Sequence, residues 1–401
     1  MTKQHEKYIN SFSNELRLLI NFLGNSLDNK SNKIDLELLN NIDWPSFIEL
    51  VKFHRVKEQV YQTIQENGIN IPDNIKTQLK ELSRANRITA LKNTAEAINL
   101  DKVFKKKNIE ALLLKGITLS QQLYGDLGYR HAGDIDFFAM KDDVIYIDKI
   151  LSDNGYQRTF PSFSLSPKQI KIFMLNNHHY EYFNKEKAVR LEVHWDFFPN
   201  KKLYKLDTKK IFNNARSVEI SGNKISTLQV KENILYLMVH GSLHGYFRLF
   251  WLYDIAKLYC SVSEIDWEET YKEAKINGLE RVFEQTFYLI NILWEIQIPK
   301  FILVEKRNSS INYITNIALN VINSKENIFD GSSSQRLQKN IYQLFLKKGL
   351  KYKLSPITRQ FTSYHDWNLI NIPDKFFFLY YILRPFFIIT ALLKKGYFKI
   401  K

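Results

Sequence analysis

Two aspartates stand two residues apart in Arg130-His-Ala-Gly-Asp-Ile-Asp-Phe-Phe138, and this spacing is suited to holding a divalent cation. Strand alternation would put Asp134 and Asp136 on one side, with Ile135, Phe137 and Ala139 on the other. Their backbones would then lie roughly 7 Å apart, close enough for the carboxylates to converge. Hard oxygen donors of this kind suit Mg²⁺ or Mn²⁺. An Asp-x-Asp is a short pattern that solvated strands and turns also carry, so its neighbours have to decide its meaning.

A third carboxylate lies on a second polar strand face. His178–Phe183 and Ala188–Trp195 read as a hairpin around Asn184-Lys-Glu-Lys187, with Val189, Leu191 and Val193 facing one way and Arg190, Glu192 and His194 the other. Pairing the two strands in one sheet could bring Glu192 beside the aspartates. Three acidic groups around two cations are the constellation for metal-assisted phosphoryl chemistry. Other histidines invite blander readings. His54 falls on a helix, where packing or capping is the usual role. His240 and His244 have the i, i+4 spacing of a helical metal pair, but no Glu of a metalloprotease motif stands between them.

Stepping outward, Ile109–Leu114 is a short apolar run that Gly116 breaks, and Ile117–Tyr124 reads as a helix with Leu119 and Leu123 at i, i+4. The Asp134 strand follows, then a helix over Asp142–Asp153 closed by Gly155, a strand over Tyr156–Phe160, a loop and a short helix to Leu175. Before this, residues 1–108 read as roughly four helices, with patterns over Asp73–Ser83 and Asn86–Lys106. Beyond Lys231 the chain turns helical again, through Leu249–Tyr259, Trp267–Gln297 and Ser309–Asn323. The expected organisation is α+β: a helical N-terminal region (1–108), a small mixed-sheet core (109–230), a C-terminal helical domain (231–334) and a basic tail (335–401). Ser324–Ser334 is the candidate linker to that tail.

Charge is uneven along the chain. Arg336–Lys401 carries 13 Lys and Arg against Asp366 and Asp374, while the rest is nearly balanced, 44 against 40. Inside the tail, Phe376–Leu393 is an 18-residue stretch whose only charge is Arg384, followed by Lys394 and Lys395. That length is marginal for a membrane span, and Arg384 and Pro385 in its middle oppose one. Two readings remain open: attachment to an anionic membrane surface, or a terminal helix docked on the protein's own core. A single cysteine, Cys260, excludes intramolecular disulfides and cysteine-based zinc clusters. The polar Met1–Asn10 lacks a signal-peptide pattern, so a cytoplasmic, membrane-associable location is expected.

In order along the chain, Lys115-Gly116, a helix, Leu123-Tyr-Gly-Asp126, Arg130, Gly133-Asp-Ile-Asp136, a helix, Gly155-Tyr156 and Leu191-Glu-Val-His-Trp195 resemble the uncharacterised nucleotidyltransferase family, a branch of the DNA polymerase beta nucleotidyltransferase superfamily. The resemblance covers about residues 109–260 and also takes in the helix centred on Asp254. It implies a small mixed-sheet nucleotidyltransferase core flanked by helices. By the same resemblance Gly116 is the phosphate-gripping turn glycine, Asp134 and Asp136 are metal ligands, and Glu192 completes the triad for Mg²⁺ or Mn²⁺ and favours deprotonation of the acceptor. Two departures stand out. The superfamily's Gly-Ser is here Lys115-Gly116-Ile117, with Lys115 available to phosphate as a point charge. Seventeen residues also separate Gly116 from Asp134, which implies a longer helix or an extra loop. Arg130 in that loop reads either as a triphosphate or acceptor contact or as a solvated arginine. His194 reads either as a nucleotide contact or as a structural histidine.

The implied reaction moves a nucleoside monophosphate from an NTP to a hydroxyl-bearing acceptor and releases pyrophosphate. Two other classes fit less of the sequence. One is an inactive nucleotide- or partner-binding module of the same fold held at a membrane. The other is a nucleic-acid-modifying transferase, disfavoured because the basic residues gather around an apolar tail rather than interleaved with stacking aromatics.

Overall fold

The computed structural model describes residues 3–27, 34–205, 207–302, 309–324, 332–358 and 361–394. Five helices come first: α1 (Lys3–Ile9), α2 (Asn14–Asn25), α3 (Trp44–His54), α4 (Lys57–Glu66) and α5 (Asp73–Lys106). The core alternates: β1 (Ala111–Leu113), α6 (Gly116–Tyr124), β2 (Ile135–Ala139), α7 (Val144–Asp153), β3 (Gln157–Phe160), α8 (Pro167–Asn176), β4 (His179–Asn184) and β5 (Val189–His194). Next are α9 (Thr208–Asn213), β6 (Arg216–Ile220), β7 (Asn223–Thr227), α10 (Val230–Leu243), α11 (Leu249–Ser261), α12 (Trp267–Ile276), α13 (Glu280–Trp294) and α14 (Ser309–Asn323). The last helices are α15 (Ser333–Phe345), α16 (Leu350–Thr358), α17 (Tyr364–Leu369) and α18 (Leu379–Lys394).

This is the α+β architecture with a small mixed sheet that the sequence led us to expect. The five-stranded sheet has the order β1-β2-β5-β4-β3, and β6 and β7 form a separate antiparallel pair. That pair is joined by Ser221-Gly222, both at positive φ (47° and 73°), the backbone a two-residue hairpin turn of type I′ requires. Two helical patterns expected around Ser83 and Asn86 are one helix, α5, 34 residues long. Neither Gly nor Pro interrupts it, so nothing local stops propagation.

Contacts divide the chain into two compact units, one of Met1–Phe137 with Asp207–Lys348 and one of Phe138–Leu206 with Gly349–Lys401. The chain passes from the first to the second inside β2. Helices expected as separate N- and C-terminal regions share the first unit's core. Trp294 Nε1 on α13 donates to Ile20 O on α2 at 3.1 Å, and the Tyr253 hydroxyl on α11 lies 3.0 Å from Ser26 Oγ. Large apolar residues from both ends of the sequence, among them Phe22, Phe47, Leu252 and Ile290, are fully buried there. Burying a side chain of that kind contributes about 1.5–3 kcal/mol, so the two helical groups stabilise each other. α15 belongs to this unit too, since the Tyr342 hydroxyl donates to Ser242 O at 2.7 Å. Most of the expected linker, residues 325–331, lies outside the described residues.

In the second unit, β4 and β5 pair antiparallel as the alternation required, with Val189, Leu191 and Val193 buried. α8 starts with a capping box between Ser166 and Gln169. Part of the tail packs here: Asp374 accepts hydrogen bonds from Ser166 Oγ and from the Lys168 amide (3.1 Å), and Tyr380 is fully buried. Arg384 donates to Asp366 at 2.5 Å. The charge that opposed membrane insertion is therefore paired with a buried carboxylate. No described helix is long and apolar enough to cross a membrane.

Candidate active site

The first unit builds its site at the turn from β1 to α6. Lys115 and Gly116 both have positive φ (30° and 42°), conformations for which glycine is the least strained residue. A Cβ on Gly116 would meet nothing within 4 Å, so backbone conformation rather than crowding explains the glycine. α6 begins without a side-chain cap, which leaves its first amides and the positive end of the helix dipole to other partners. The Leu114 amide donates to Asp136 O at 2.9 Å, placing the turn beside β2. Lys115 Nζ lies 3.3 Å from Asp136 Oδ1.

Asp136 is 2% exposed and every residue of β2 is buried, so the expected division of this strand into a polar face and a core face does not hold. Asp134 sits on a half-buried bend just before β2 rather than within it. The chain's route from Gly116 to Asp134 explains the extra length. α6 ends at Gly125 in the left-handed conformation, and residues 126–134 form a loop fastened to α4 and α5. Asn86 Nδ2 donates to Gly128 O (3.0 Å), Asn93 Nδ2 to Ala132 O (2.9 Å) and Gln59 Nε2 to Tyr129 O (3.2 Å). Arg87 bridges Glu58 (2.6 Å) and Asp126 (2.9 Å). Nearly the whole connection is therefore held by side chains of helices that precede the core in sequence.

Arg130 is neither solvated nor unpaired. Its Nε donates to Asp254 Oδ2 on α11 at 2.8 Å, and its guanidinium packs over the Phe250 ring, 5.1 Å from the centroid. The Tyr124 hydroxyl donates to the other oxygen of Asp254 at 3.1 Å. Burial raises the pKa of Asp254, and Arg130 opposes that rise.

Four cations surround the His131–Asp134 segment: Arg55, Lys57, Arg130 and Arg248. Burial pulls the Arg55 guanidinium below its ordinary pKa, Asp134 pulls it back up and Arg130 pushes it down. Burial, then Arg55, lowers Arg248 to about 10, with Asp134 opposing. Lys57 is lowered by burial and then by Arg55. His131 is driven down to about 2 by burial and then by all four cations, so it is neutral, and its Nδ1 lies 3.1 Å from Asn86 Oδ1. Arg248 Nε is buried and has no hydrogen-bond partner among the described residues. His54 keeps the capping role: its Nδ1 accepts the Leu249 amide at the start of α11 (3.3 Å), and burial lowers its pKa to about 3. Arg55, Lys57 and Arg248 escaped the sequence reading because they lie about 80 residues before and 110 after Asp134, on elements with no motif of their own. The left-handed Arg55 at the α3–α4 corner left no local signal.

The second unit carries the remaining candidates. On β5, Glu192 Oε2 lies 3.0 Å from His194 Nε2. Glu192 is half-buried and His194 buried. The expected site residues therefore form two groups as the structure describes them, Lys115, Gly116, Arg130, Asp134 and Asp136 in the first unit and Glu192 with His194 in the second.

A glycine turn opening a helix beside a buried aspartate strand, flanked by helices that carry basic residues, is the layout of a nucleotidyltransferase core. The family model described as Uncharacterised nucleotidyltransferase matches residues 40–295. The chain belongs to this family, and the match reaches back over α3, α4 and α5, the helices that supply Arg55 and Lys57 and fasten the loop. A search of curated proteins finds no match.

Proposed function

We propose that the chain transfers a nucleoside monophosphate from an NTP to a hydroxyl-bearing acceptor, using divalent ions held by Asp134, Asp136 and Glu192. Family membership supports nucleotidyl transfer in general. The observation that carries the finer reading is the gathering of Arg55, Lys57, Arg130 and Arg248 around the segment that ends in Asp134. Cations this close repel one another and are partly desolvated, so the arrangement is one that a polyanion stabilises on binding. A triphosphate is the polyanion that suits it.

The donor set fits a hard ion: Asp136 is a buried carboxylate whose charge Lys115 offsets, and Asp134 is half-buried at the mouth of the same strand. Mg²⁺ or Mn²⁺ bound there would supply charge neutralisation on the phosphates and alignment of attack and departure. The chain's own residues do the rest. The Gly116 turn and α6 amides receive phosphate oxygens, and Lys115, released from Asp136, pairs with them. Glu192 accepts the acceptor's proton as its oxygen bonds to the α-phosphorus. The bond from that phosphorus to the bridging oxygen breaks, and pyrophosphate leaves against Arg55 and Arg248. Incubation with each NTP and measurement of pyrophosphate release tests this. Asp136→Asn should abolish release while the protein stays folded by circular dichroism, and retained release would sink the reading.

A second proposal concerns α18, which we place on an anionic membrane surface. Its outward residues include Tyr381, Ile382, Phe386, Ile388 and Ile389, all exposed, and lysines stand in the sequence at 375, 394 and 395.

A further inference from the structure

The β4–β5 hairpin carries a set of side chains of which the proposed transfer uses only Glu192. His179 stands directly opposite His194, and Glu181 directly opposite Glu192. Residues opposite each other on an antiparallel ladder share a face, as do residues two apart on one strand. Two histidines and two glutamates therefore form a square on one face, while Tyr180, Tyr182, Leu191 and Val193 fill the buried face. His178, just before β4, turns onto the same square. The His178 and His179 ring centroids are 4.2 Å apart, those of His179 and His194 5.1 Å, and those of His178 and His194 5.5 Å.

The nitrogens are arranged in a particular way. His179 Nε2 faces Glu181 Oε1 at 3.2 Å, and His194 Nε2 faces Glu192 Oε2 at 3.0 Å. A neutral imidazole that donates from Nε2 to a carboxylate carries its lone pair on Nδ1. His179 Nδ1 points at His178, 3.0 Å from its Nε2 and 3.3 Å from its Nδ1. One nitrogen from each of the three rings can be chosen so that all lie within 4.8 Å of one another. In a tetrahedral zinc site, with Zn–N bonds of about 2.0–2.1 Å, neighbouring ligand nitrogens are about 3.3 Å apart. The present spacing exceeds that value by at most about 1.5 Å. Imidazoles whose outer nitrogens are fixed by carboxylates are the usual form of a histidine metal centre.

We propose that His178, His179 and His194 bind a borderline-soft divalent ion, Zn²⁺ by ligand type, with Glu181 and Glu192 as the carboxylates that orient His179 and His194. Three imidazoles select such an ion over Mg²⁺, whereas the carboxylates of Asp134 and Asp136 select the reverse. The site thus differs in chemistry from the one proposed for transfer. Three protein ligands leave a fourth position open to water or a further donor. One consequence rests on the transfer reading: a bound ion fixes His194, His194 holds Glu192 Oε2, and the ion becomes a positioning device for that carboxylate.

The test uses the full chain, stripped with a chelator, dialysed, and titrated with Zn²⁺ against a chromophoric competitor. Co²⁺ loading provides a second readout. Stoichiometric Zn²⁺ binding and an intense tetrahedral Co²⁺ visible spectrum are expected. Glu181→Gln should weaken Zn²⁺ roughly 10- to 100-fold, the range for outer carboxylates, and His178→Gln and His179→Gln should weaken it further. Thermal melts of the stripped proteins check that each variant folds; His178, half-buried at a strand end, is the substitution least able to disturb the sheet. Absence of stoichiometric binding, or binding unchanged in His178→Gln and His179→Gln, overturns the site. Asp136→Asn should keep Zn²⁺ affinity. A protein that binds Zn²⁺ through these histidines yet releases no pyrophosphate would sustain this site while removing the transfer reading.

Discussion

Arg130 and Asp254 are joined by a 2.8 Å hydrogen bond from Nε to Oδ2, and they are 3% and 1% exposed. The pair ties the loop before Asp134 to α11 across 124 residues of sequence. Its charges are out of water, so removing one partner leaves the other stranded. Asp254→Ala should cost about 3–5 kcal/mol, the range for breaking a buried pair, read as a fall in the urea midpoint. The Tyr124 hydroxyl loses its acceptor in the same variant. A midpoint shift below about 1 kcal/mol would mean that the loop does not depend on this anchor.

Arg248 is placed differently from the Asp254-paired Arg130, because its charge faces the His131–Asp134 segment and its buried Nε has no hydrogen-bond partner among the described residues. Arg248→Gln should raise the KM for NTP by about tenfold, the worth of roughly 1.4 kcal/mol of charge-assisted binding. The thermal midpoint should stay level or rise as repulsion from Arg55 is relieved. Added salt should narrow the difference between the two proteins. An unchanged KM would show that the cations serve only the fold.

What the sequence made legible was local and periodic. β1, the Gly116 turn, α7 and the β4–β5 hairpin follow from apolar alternation, helical stripes and punctuating glycines, and these place Lys115, Asp136 and Glu192. The missing information was nonlocal. No pattern within residues 50–60 announces that Arg55 and Lys57 lie near the His131–Asp134 segment. Nor does the polarity of Asn86 and Asn93, ordinary on an exposed helix, reveal that both are buried and hold the 126–134 loop. The strand carrying Asp136 was misread for the same reason: alternation describes a half-exposed strand, and β2 is covered on both faces. Arg384 opposes insertion of its apolar stretch, and nothing in the local pattern reveals that Asp366, 18 residues earlier, accepts its hydrogen bond.

Acid should destabilise the first unit in a defined window. Burial holds the folded-state pKa of His54 near 3 and that of His131 near 2, against an ordinary 6.5. Between 6.5 and those values the unfolded chain binds protons that the folded chain refuses, so their stabilisation is complete above pH 6.5 and declines as pH falls. Each can contribute a slope of up to about 1.4 kcal/mol per pH unit, less for the half-buried His131. Urea midpoints from pH 7.5 to 5 should fall accordingly, and the fall should be shallower in His54→Gln. An equal slope in that variant would assign the acid sensitivity elsewhere.

The outward face of α18 gives the last prediction. Tyr380 and Phe387 are buried and Arg384 is paired to Asp366, so the helix is anchored by one side only. On the other, Ile382 is 60% exposed and Phe386 64%. Transfer of two such side chains from water into an interface is worth about 1.5–3 kcal/mol each when complete. Lysines near head groups add about 1 kcal/mol apiece on an anionic leaflet. The chain should therefore float with phosphatidylserine-containing vesicles and far less with neutral phosphatidylcholine vesicles, and high salt should release part of it. Ile382→Glu and Phe386→Glu, both at exposed positions, should each weaken flotation at least tenfold while leaving the thermal midpoint and pyrophosphate release unchanged. Flotation that persists in the double variant would move the contact to another surface. Failure to float with either vesicle would remove the membrane proposal and leave nucleotidyl transfer untouched, because no residue of α18 is assigned to the chemistry.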